Sequence, residues 1–391
     1  MRKALLVGSS YSSAPILSIL RERGFQISVC GVHRDDPCHE YADKSYYIDY
    51  SNSEALKQLI DAEQFDFIVP SCNDTAYMST VQATQQNPYP GFDTLPTARI
   101  LHTKNSFREF TKDNAIPAPR WLKASAQKDY SSLTLPLLVK PVDAFSGRGI
   151  TKITDYSSLG PAIENARLSS KDDGVIVEEF VEGSLHSHSA FVVNEKIMID
   201  FFVDEYCSIY PYQVDCSNHP SFLSQHIRNS VRAAIGTIIS KLKICDGLIH
   251  SQFIVNDDQI WIIECMRRAP GDLFGNLISY STGHDYTELY TLPFIGGKIK
   301  ANSSSERYRL IGRHTISVVK PKTLFSFSQS LPSPKVSIVP LKRSGHPITD
   351  APYDKVAILF AEFEAAETLK SITPSMADYM SIKTIEDNHA F

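Results

Sequence analysis

The stretch LIHSQFIVNDDQIWIIECMRRAPGD, residues 248–272, decides the fold of the second half of the chain. Two runs of alternating apolar residues flank the polar turn NDD, which predicts a β-hairpin. Gln252 and Glu264 stand 12 residues apart on its two strands, so the turn brings both side chains to one place. Arg267 and Arg268 follow at the end of the second strand, just before Pro-Gly-Asp. A carboxylate beside two guanidiniums indicates that a cation and an anion bind together here.

The composition is ordinary for a folded soluble protein. Its 391 residues are enough for two or three domains, with 42% hydrophobic and 21% charged residues. The net charge of −5 argues against a nucleic-acid or anionic-membrane partner. Seven cysteines without a CxxC pair predict reduced thiols and a cytoplasmic location. The short apolar run at the start predicts a strand rather than a signal peptide, and we expect no membrane span.

The first hundred residues alternate between short apolar strands and helices. Residues 3–8 (KALLVG), 26–32 and 65–74 predict strands, and residues 13–24 and 53–64 predict helices. This alternation is typical of a parallel sheet covered on both faces, a Rossmann-like unit. No GxGxxG follows the first strand, so we assign this unit no dinucleotide.

The pattern changes after residue 96. Residues 97–115 predict a helix, the segment IPAP breaks it, and mostly antiparallel strands follow. The fold class is therefore α/β followed by α+β. We expect a Rossmann-like domain at residues 1–96, a small lobe with a linker helix at 97–184, and a large lobe with a β-rich extension at 185–391.

Two segments of the predicted small lobe suit a nucleotide. In residues 135–153 Lys140 ends an apolar strand, and a glycine loop follows, where backbone N–H groups can approach phosphate oxygens. The loop is not a Walker A sequence, and a plain hairpin with a surface lysine is the alternative. In residues 175–183, VIVEEFVEG, an apolar strand ends in two glutamates whose backbone could meet a flat heterocycle; a solvated strand end is the alternative.

The hairpin supplies oxygen ligands for a cation. Gln252 and Glu264 beside a triphosphate are ligands that Mg²⁺ accepts, because it keeps waters and shares phosphate oxygens. Arg267 and Arg268 would stabilise charge on a transferring phosphoryl group. The alternative is a structural salt bridge at a strand end.

These segments, in this order, resemble the ATP-grasp superfamily across about residues 100–280. The resemblance implies an N-terminal Rossmann-like parallel sheet before a two-lobed ATP-grasp unit with antiparallel sheets, as in carboxylate–amine ligases and biotin carboxylase. It implies ATP and Mg²⁺, or Mn²⁺ in its place, as cofactors. It also implies nucleotide contacts at Lys104, Lys140, Ser146, Gly147, Arg148, Gly149, Glu178, Glu179, Phe180 and Val181. Glu264 and Gln252 match the metal ligands, and Arg268 matches the arginine that stabilises the acyl phosphate.

Three positions depart from the family pattern. The first metal ligand is usually acidic, and here it is the neutral Gln252. Two residues beyond Glu264, an expected Asn is Met266, whose thioether suits Mg²⁺ poorly. The glutamate expected to hold the ribose is Leu185, and the residues leave open whether a histidine or Glu205 replaces it. The number of metal ions therefore stays open.

The resemblance implies a ligase that activates a small carboxylate as an acyl phosphate and couples it to an amine. We expect Arg313, Arg267 and Tyr210 to touch the substrates, Tyr210 from the polar segment 204–221 that should face the glycine loop. The partners are then small molecules, with a homodimer as the family's common state. Two alternatives remain at this point: an ATP sensor that has lost catalysis, and a carboxylase acting through carboxyphosphate.

Overall fold

The computed structural model describes residues 1–125, 129–143, 147–170, 174–300 and 308–385. The chain starts with a parallel sheet of order β3-β2-β1-β4, made of β1 (Lys3–Val7), β2 (Gln26–Cys30), β3 (Lys44–Tyr46) and β4 (Phe67–Pro70). The connecting helices are α1 (Ala14–Glu22), α2 (Pro37–Glu40), α3 (Ser53–Glu63) and α4 (Asp74–Ala83). Burial of β1 from its second residue onward explains its unbroken apolar sequence.

The predicted helical segment 97–115 forms two helices, α5 (Leu95–His102) and α6 (Lys104–Asp113). Thr103 separates them because its backbone is extended, with φ −120° and ψ 118°. This break makes Lys104 the first residue of a helix and turns it towards the strands that follow.

A small antiparallel sheet comes next, in the order β5-β8-β6-β7. Its apolar side chains, including Leu137, Val139 and Val177, pack against one helix. The elements are β5 (Trp121–Lys123), β6 (Leu137–Pro141), β7 (Thr151–Ile153), α7 (Leu159–Leu168) and β8 (Val175–Glu179).

An eight-stranded antiparallel sheet of order β13-β12-β9-β10-β11-β14-β18-β16 forms the centre of the molecule, and a three-stranded sheet of order β17-β15-β19 lies beside it. The strands are β9 (Ser184–Val193), β10 (Lys196–Tyr206), β11 (Cys216–His219), β12 (Gly247–Asn256), β13 (Gln259–Met266), β14 (Leu310–Ile316), β15 (Lys322–Gln329), β16 (Lys335–Pro340), β17 (Pro347–Ile348), β18 (Ala357–Phe363) and β19 (Met380–Thr384). The helices are α8 (Gln225–Leu242), α9 (Phe274–Thr282), α10 (Tyr286–Phe294) and α11 (Ala366–Ile372).

The predicted hairpin is confirmed as β12 and β13. Asn256 pairs with Gln259, and Asp257 and Asp258 between them have φ of 45° and 62°. Positive φ at both central residues is the geometry of the tight turns that match strand twist. The resulting register pairs Gln252 directly with Glu264.

One apolar cluster joins the parallel sheet to the eight-stranded sheet. It includes Leu6 from the parallel sheet, Tyr77 from α4, Phe191 and Phe360 from the eight-stranded sheet, and Tyr290 from α10. This continuous packing sets the ends of β1 and β4 against one end of the eight-stranded sheet. The predicted boundaries near residues 97 and 185 stay predictions. Within the described ranges, we find no helix with both the length and the apolarity needed to cross a bilayer.

Candidate active site

A cavity of about 1040 Å³ lies between the parallel sheet, the small antiparallel sheet and the eight-stranded sheet. Its walls come from the small antiparallel sheet, from one face of the eight-stranded sheet, and from the loops that follow β1 and β4. Loops at the carboxyl ends of parallel strands are common positions for ligands, because the strand order leaves a crevice there. The cavity is therefore the place to look for each predicted side chain.

Lys140 on β6 and Glu178 on β8, paired strands of the small antiparallel sheet, form a buried ion pair. Arg108 of α6 binds the other oxygen of Glu178, with Nη2 at 3.0 Å, and donates from Nη1 to the carbonyl of Ile263 at 2.7 Å. Burial alone would raise the pKa of Glu178, but Arg108 and Lys140 hold that pKa below its ordinary value. The Glu178 side chain is thus occupied by two cations, and a contact with a base is left to its backbone.

The strand end predicted to meet the adenine lines the cavity at Glu179, Phe180 and Val181. The Glu179 carboxylate pairs with Arg120 and accepts the backbone N–H of Thr134 at 2.7 Å. The backbone N–H of Phe180 donates to the carbonyl of Pro136 at 2.9 Å, which holds the strand end in place. The role of these residues in binding adenine stays a prediction.

Lys104 lines the same cavity, and the charged groups of that cavity influence its pKa. Burial lowers the pKa of Lys104, with Glu264 opposing the shift and Lys140 adding to it. The two lysines predicted to hold phosphates therefore lie within electrostatic reach of each other and of the predicted metal ligand. Such a concentration of positive charge suits a polyanion.

The glycine loop closes one side of the cavity. Gly147 and Gly149 have φ of 74° and 69°, a conformation that favours glycine. A Cβ on Gly147 would stand 2.9 Å from the carbonyl oxygen of Pro211, so the loop touches the segment 204–221 as predicted. The Arg148 guanidinium lies 4.8 Å from the ring centre of Tyr353. Ser146 lies outside the described residues.

Oxygen donors for a cation stand side by side on the large sheet. Gln252 and Glu264 are cross-strand partners, and both line the cavity. Gln252 donates from Nε2 to Oε2 of Glu205 at 2.6 Å. Met266 is 5% exposed at the end of the same strand. Two carboxylates and one amide are hard oxygen donors, so this set fits Mg²⁺ although the Met266 thioether does not.

The two neighbouring arginines point in opposite directions. Arg268 lines the cavity and pairs with Asp74 at 2.9 Å. Arg267 enters the core, where its side chain is 1% exposed and its Nε lies 2.6 Å from Asp93. Its Nη2 also donates to the carbonyl of Cys245 at 2.8 Å. The expectation that Arg267 touches substrate is therefore wrong, because alternation along the strand end sends it inward as a structural cation.

The cavity is also lined by Arg313 and by Asp272, which joins a network of side chains. Arg313 donates to the Asp272 carbonyl and to Ser217 Oγ, both at 2.9 Å. The Asp272 carboxylate accepts the Tyr11 hydroxyl at 2.7 Å and pairs with Lys355. Burial alone would raise the pKa of Asp272, but Lys355 and Arg313 lower it to about 2.

The sequence predictions missed three residues of this network. Tyr11 could have been found, because it follows the first strand of a parallel sheet, where ligand-binding loops occur. Asp272 stood in the quoted Pro-Gly-Asp turn without a role, and Lys355 carries no local signal. Among the tyrosines of segment 204–221, Tyr206 and Tyr212 line the cavity and Tyr210 is not among its lining residues, so its contact with substrate stays a prediction.

Sequence comparisons identify the class to which this geometry belongs. Residues 104–274 match the family model described as "D-ala D-ala ligase C-terminus". A formate-dependent phosphoribosylglycinamide formyltransferase of Francisella tularensis is 26% identical over 190 residues, which are 46% of this chain and 48% of that protein. The chain thus spans about half the length of that relative. The enzyme of the same name from a Janthinobacterium species is 23% identical over 81% of this chain and 80% of its own.

Solved structures agree on the fold. An L-amino acid ligase from Bacillus licheniformis has a TM-score of 0.77 at 17% identity, over 98% of this chain and 99% of its own. A phosphoribosylglycinamide synthetase from Anaerococcus prevotii gives the same values. The fold is that of ligases and carboxylases, and in this chain a cavity lies between two antiparallel sheets. The chain therefore resembles the ATP-grasp ligases, a class whose cofactors are ATP and Mg²⁺. The predicted resemblance to the ATP-grasp superfamily, the predicted fold class and the predicted cofactors are confirmed.

Proposed function

We propose that this protein activates a small-molecule carboxylate as an acyl phosphate and couples it to an amine, forming ADP and phosphate. One observation carries the proposal. A single cavity is lined by Lys104, Lys140, Glu264 and Arg268 and also by Arg313, Asp272 and Lys355. Its volume of about 1040 Å³ exceeds the roughly 300–1000 Å³ common for one small ligand, which leaves room for a nucleotide and a second substrate.

The side chains have separate tasks in this reaction. Lys140 and Lys104 neutralise phosphate charge, so that a carboxylate oxygen can approach the γ-phosphorus while the bond to ADP breaks. Arg268 faces the charge that develops on the transferred phosphoryl group. Glu264 and Gln252 would hold Mg²⁺, which supplies charge neutralisation at the phosphates. The amine then attacks the acyl carbon, and inorganic phosphate leaves with the bonding electron pair.

The part of the cavity beside Arg313 is the proposed acceptor site. Arg313 is 3% exposed and keeps its guanidinium beside Ser217, a position from which it can meet an anionic group of a substrate. The curated relatives are named for formate and phosphoribosylglycinamide, which supports formate as the first carboxylate to test. The proposal includes a homodimer in the cytoplasm, and light scattering would measure its mass.

Hydroxylamine trapping tests the reaction class. Purified protein is given Mg²⁺-ATP, hydroxylamine and either formate, pooled amino acids or pooled sugar acids, and hydroxamate and ADP are measured together. The proposal expects equal amounts of both products with one carboxylate pool and none without carboxylate. Equal background ADP in every pool, without hydroxamate, would contradict it.

A nucleotide sensor without catalysis is the second candidate. The neutral Gln252 and the thioether of Met266 favour it, because both weaken the usual metal site. Calorimetric titration of ATP, with and without Mg²⁺, separates this candidate from the first when it is combined with the trapping result. Tight Mg²⁺-dependent binding without product under every pool, bicarbonate included, would favour the sensor.

A further inference from the structure

Gln252 leaves the cation site short of one negative charge if Glu264 acts alone. Mg²⁺ is usually bound by one or two carboxylates together with substrate phosphates, so one carboxylate and a neutral amide is a weak protein contribution. The structure contains a second carboxylate beside the amide. Glu205 lines the same cavity, is 4% exposed, and accepts the Gln252 Nε2–H at 2.6 Å.

The position of Glu205 follows from strand register. In the eight-stranded sheet Gln252 pairs with Glu264 on one side and with Ser187 on the other. Ser187 pairs in turn with Val203, and Glu205 lies two residues beyond Val203. Residues two apart along a strand share a face, so Glu205 projects from the same face as Gln252. The two carboxylates therefore flank the amide from opposite sides.

The hydrogen bond determines which end of the amide faces which carboxylate. The Nε2–H of Gln252 donates to Oε2 of Glu205, so Glu205 takes the nitrogen end of the amide. The carbonyl oxygen of the amide is then directed away from Glu205 and stays available on the side of Glu264. Without Glu205, the amide could turn and present its N–H groups to the cation, which would repel it.

Glu205 is also buried without an ionic partner among the described side chains. None of the ion pairs within 4 Å in those ranges includes it, although Arg313 influences it from a distance. A buried carboxylate without a paired cation is destabilising unless a ligand supplies the positive charge. An ion bound between the strands would supply it.

From this arrangement we propose that Glu205 is the positioning residue of the cation site: it orients the Gln252 amide oxygen towards the ion and contributes the negative charge that Gln252 lacks. The inference rests on the proposed ATP site. It explains why the loss of an acidic residue at position 252 leaves a set of oxygen donors that still fits Mg²⁺.

Binding of Mn²⁺ in the presence of ADP tests the proposal without using turnover. The electron paramagnetic resonance signal of free Mn²⁺ would be titrated with protein saturated with ADP, for wild type, Glu205→Gln and the exchange variant Gln252→Glu/Glu205→Gln. Glu205→Gln should weaken Mn²⁺ binding about 10-fold or more, as loss of a residue supporting a metal ligand does. The exchange variant should bind within about threefold of wild type, because it restores the charge and the hydrogen bond with reversed partners.

Asp204→Asn is the matched control. Asp204 is the neighbouring buried carboxylate on the same strand, and it projects to the other face, towards His186 and Asn218. Its loss should lower the melting temperature and leave Mn²⁺ binding unchanged. If Glu205→Gln binds Mn²⁺ as wild type does, or if the exchange variant stays as weak as Glu205→Gln, the positioning role is wrong while the ATP site stands. If wild type itself binds no Mn²⁺ with ADP, the proposed function fails as well.

Discussion

Replacing Arg267 and Arg268 one at a time with methionine would show whether the neighbouring arginines have the separate roles that the structure gives them. We expect Arg267→Met to unfold the protein readily and Arg268→Met to leave it folded and inactive. Both variants keep a long unbranched side chain and lose one guanidinium, so each serves as the control for the other.

The loss in free energy of unfolding expected for Arg267→Met follows from the groups that Arg267 contacts. Its side chain is 1% exposed and that of Asp93 is 2% exposed, with 2.6 Å between Nε and the carboxylate. Removing one partner of such a buried pair costs about 3–5 kcal/mol, because the other charge stays buried. The carbonyls of Leu248 and Cys245 also lose their donors. A loss of this size is a large part of the roughly 5–15 kcal/mol that stabilises a typical domain.

Replacing Arg268 should cost less stability than replacing Arg267, because the ion pair of Arg268 with Asp74 is less buried. Its partner Asp74 keeps 32% side-chain exposure and a second partner, His102, at 2.8 Å. The Arg268 side chain is 14% exposed, so the cost in stability should lie between the roughly 1 kcal/mol of an exposed pair and the about 3–5 kcal/mol of a buried one. Turnover should fall by about 100-fold or more, the effect of removing one donor that stabilises transition-state charge.

Thermal unfolding followed by circular dichroism measures the first effect, and the hydroxamate assay measures the second. At about 2–4 °C per kcal/mol, Arg267→Met should melt about 6–20 °C below wild type. Arg267→Lys, which keeps the charge, should recover part of that loss. An Arg267→Met protein that melts with wild type and has lost turnover would refute the reasoning and return Arg267 to the catalytic site.

Two further predictions concern the nucleotide and the acceptor end of the cavity. Lys140→Met should weaken ATP binding by about 1.5–3 kcal/mol, the value of a hydrogen bond to a charged group. The control variant Lys123→Met, at an exposed position of β5, should bind ATP as wild type does. If calorimetry finds both variants equal to wild type, Lys140 is not part of the phosphate site. The Asp272 carboxylate, with its pKa lowered to about 2, contributes stability that is complete above the unfolded-state pKa of about 3.9 and is lost as the pH falls towards 2. In guanidinium unfolding, the difference in free energy of unfolding between wild type and Asp272→Asn should therefore be smaller at pH 3 than at pH 6. An equal difference at both pH values would contradict the ionised state of Asp272.

Local patterns were sufficient to predict the elements of the fold. The alternating residues around NDD specify the hairpin, because period-two patterns and turns with positive φ depend only on neighbours in sequence. The same register places Gln252 opposite Glu264, so the predicted pair of metal ligands needed no tertiary information. The strand-and-helix alternation of the first hundred residues specified the parallel sheet for the same reason.

The sequence by itself determined the resemblance to the ATP-grasp class, the hairpin and the order of the segments expected to bind a nucleotide, because each depends on residues close together in the chain. Only the tertiary structure decided that Arg267 is a core cation while Arg268 faces the cavity. It also decided that Glu205 reaches Gln252 across 47 positions and that Tyr11 and Lys355 meet at Asp272. These contacts join strands and loops distant in sequence, and their side-chain directions depend on which sheets pack together, a choice that no local pattern records.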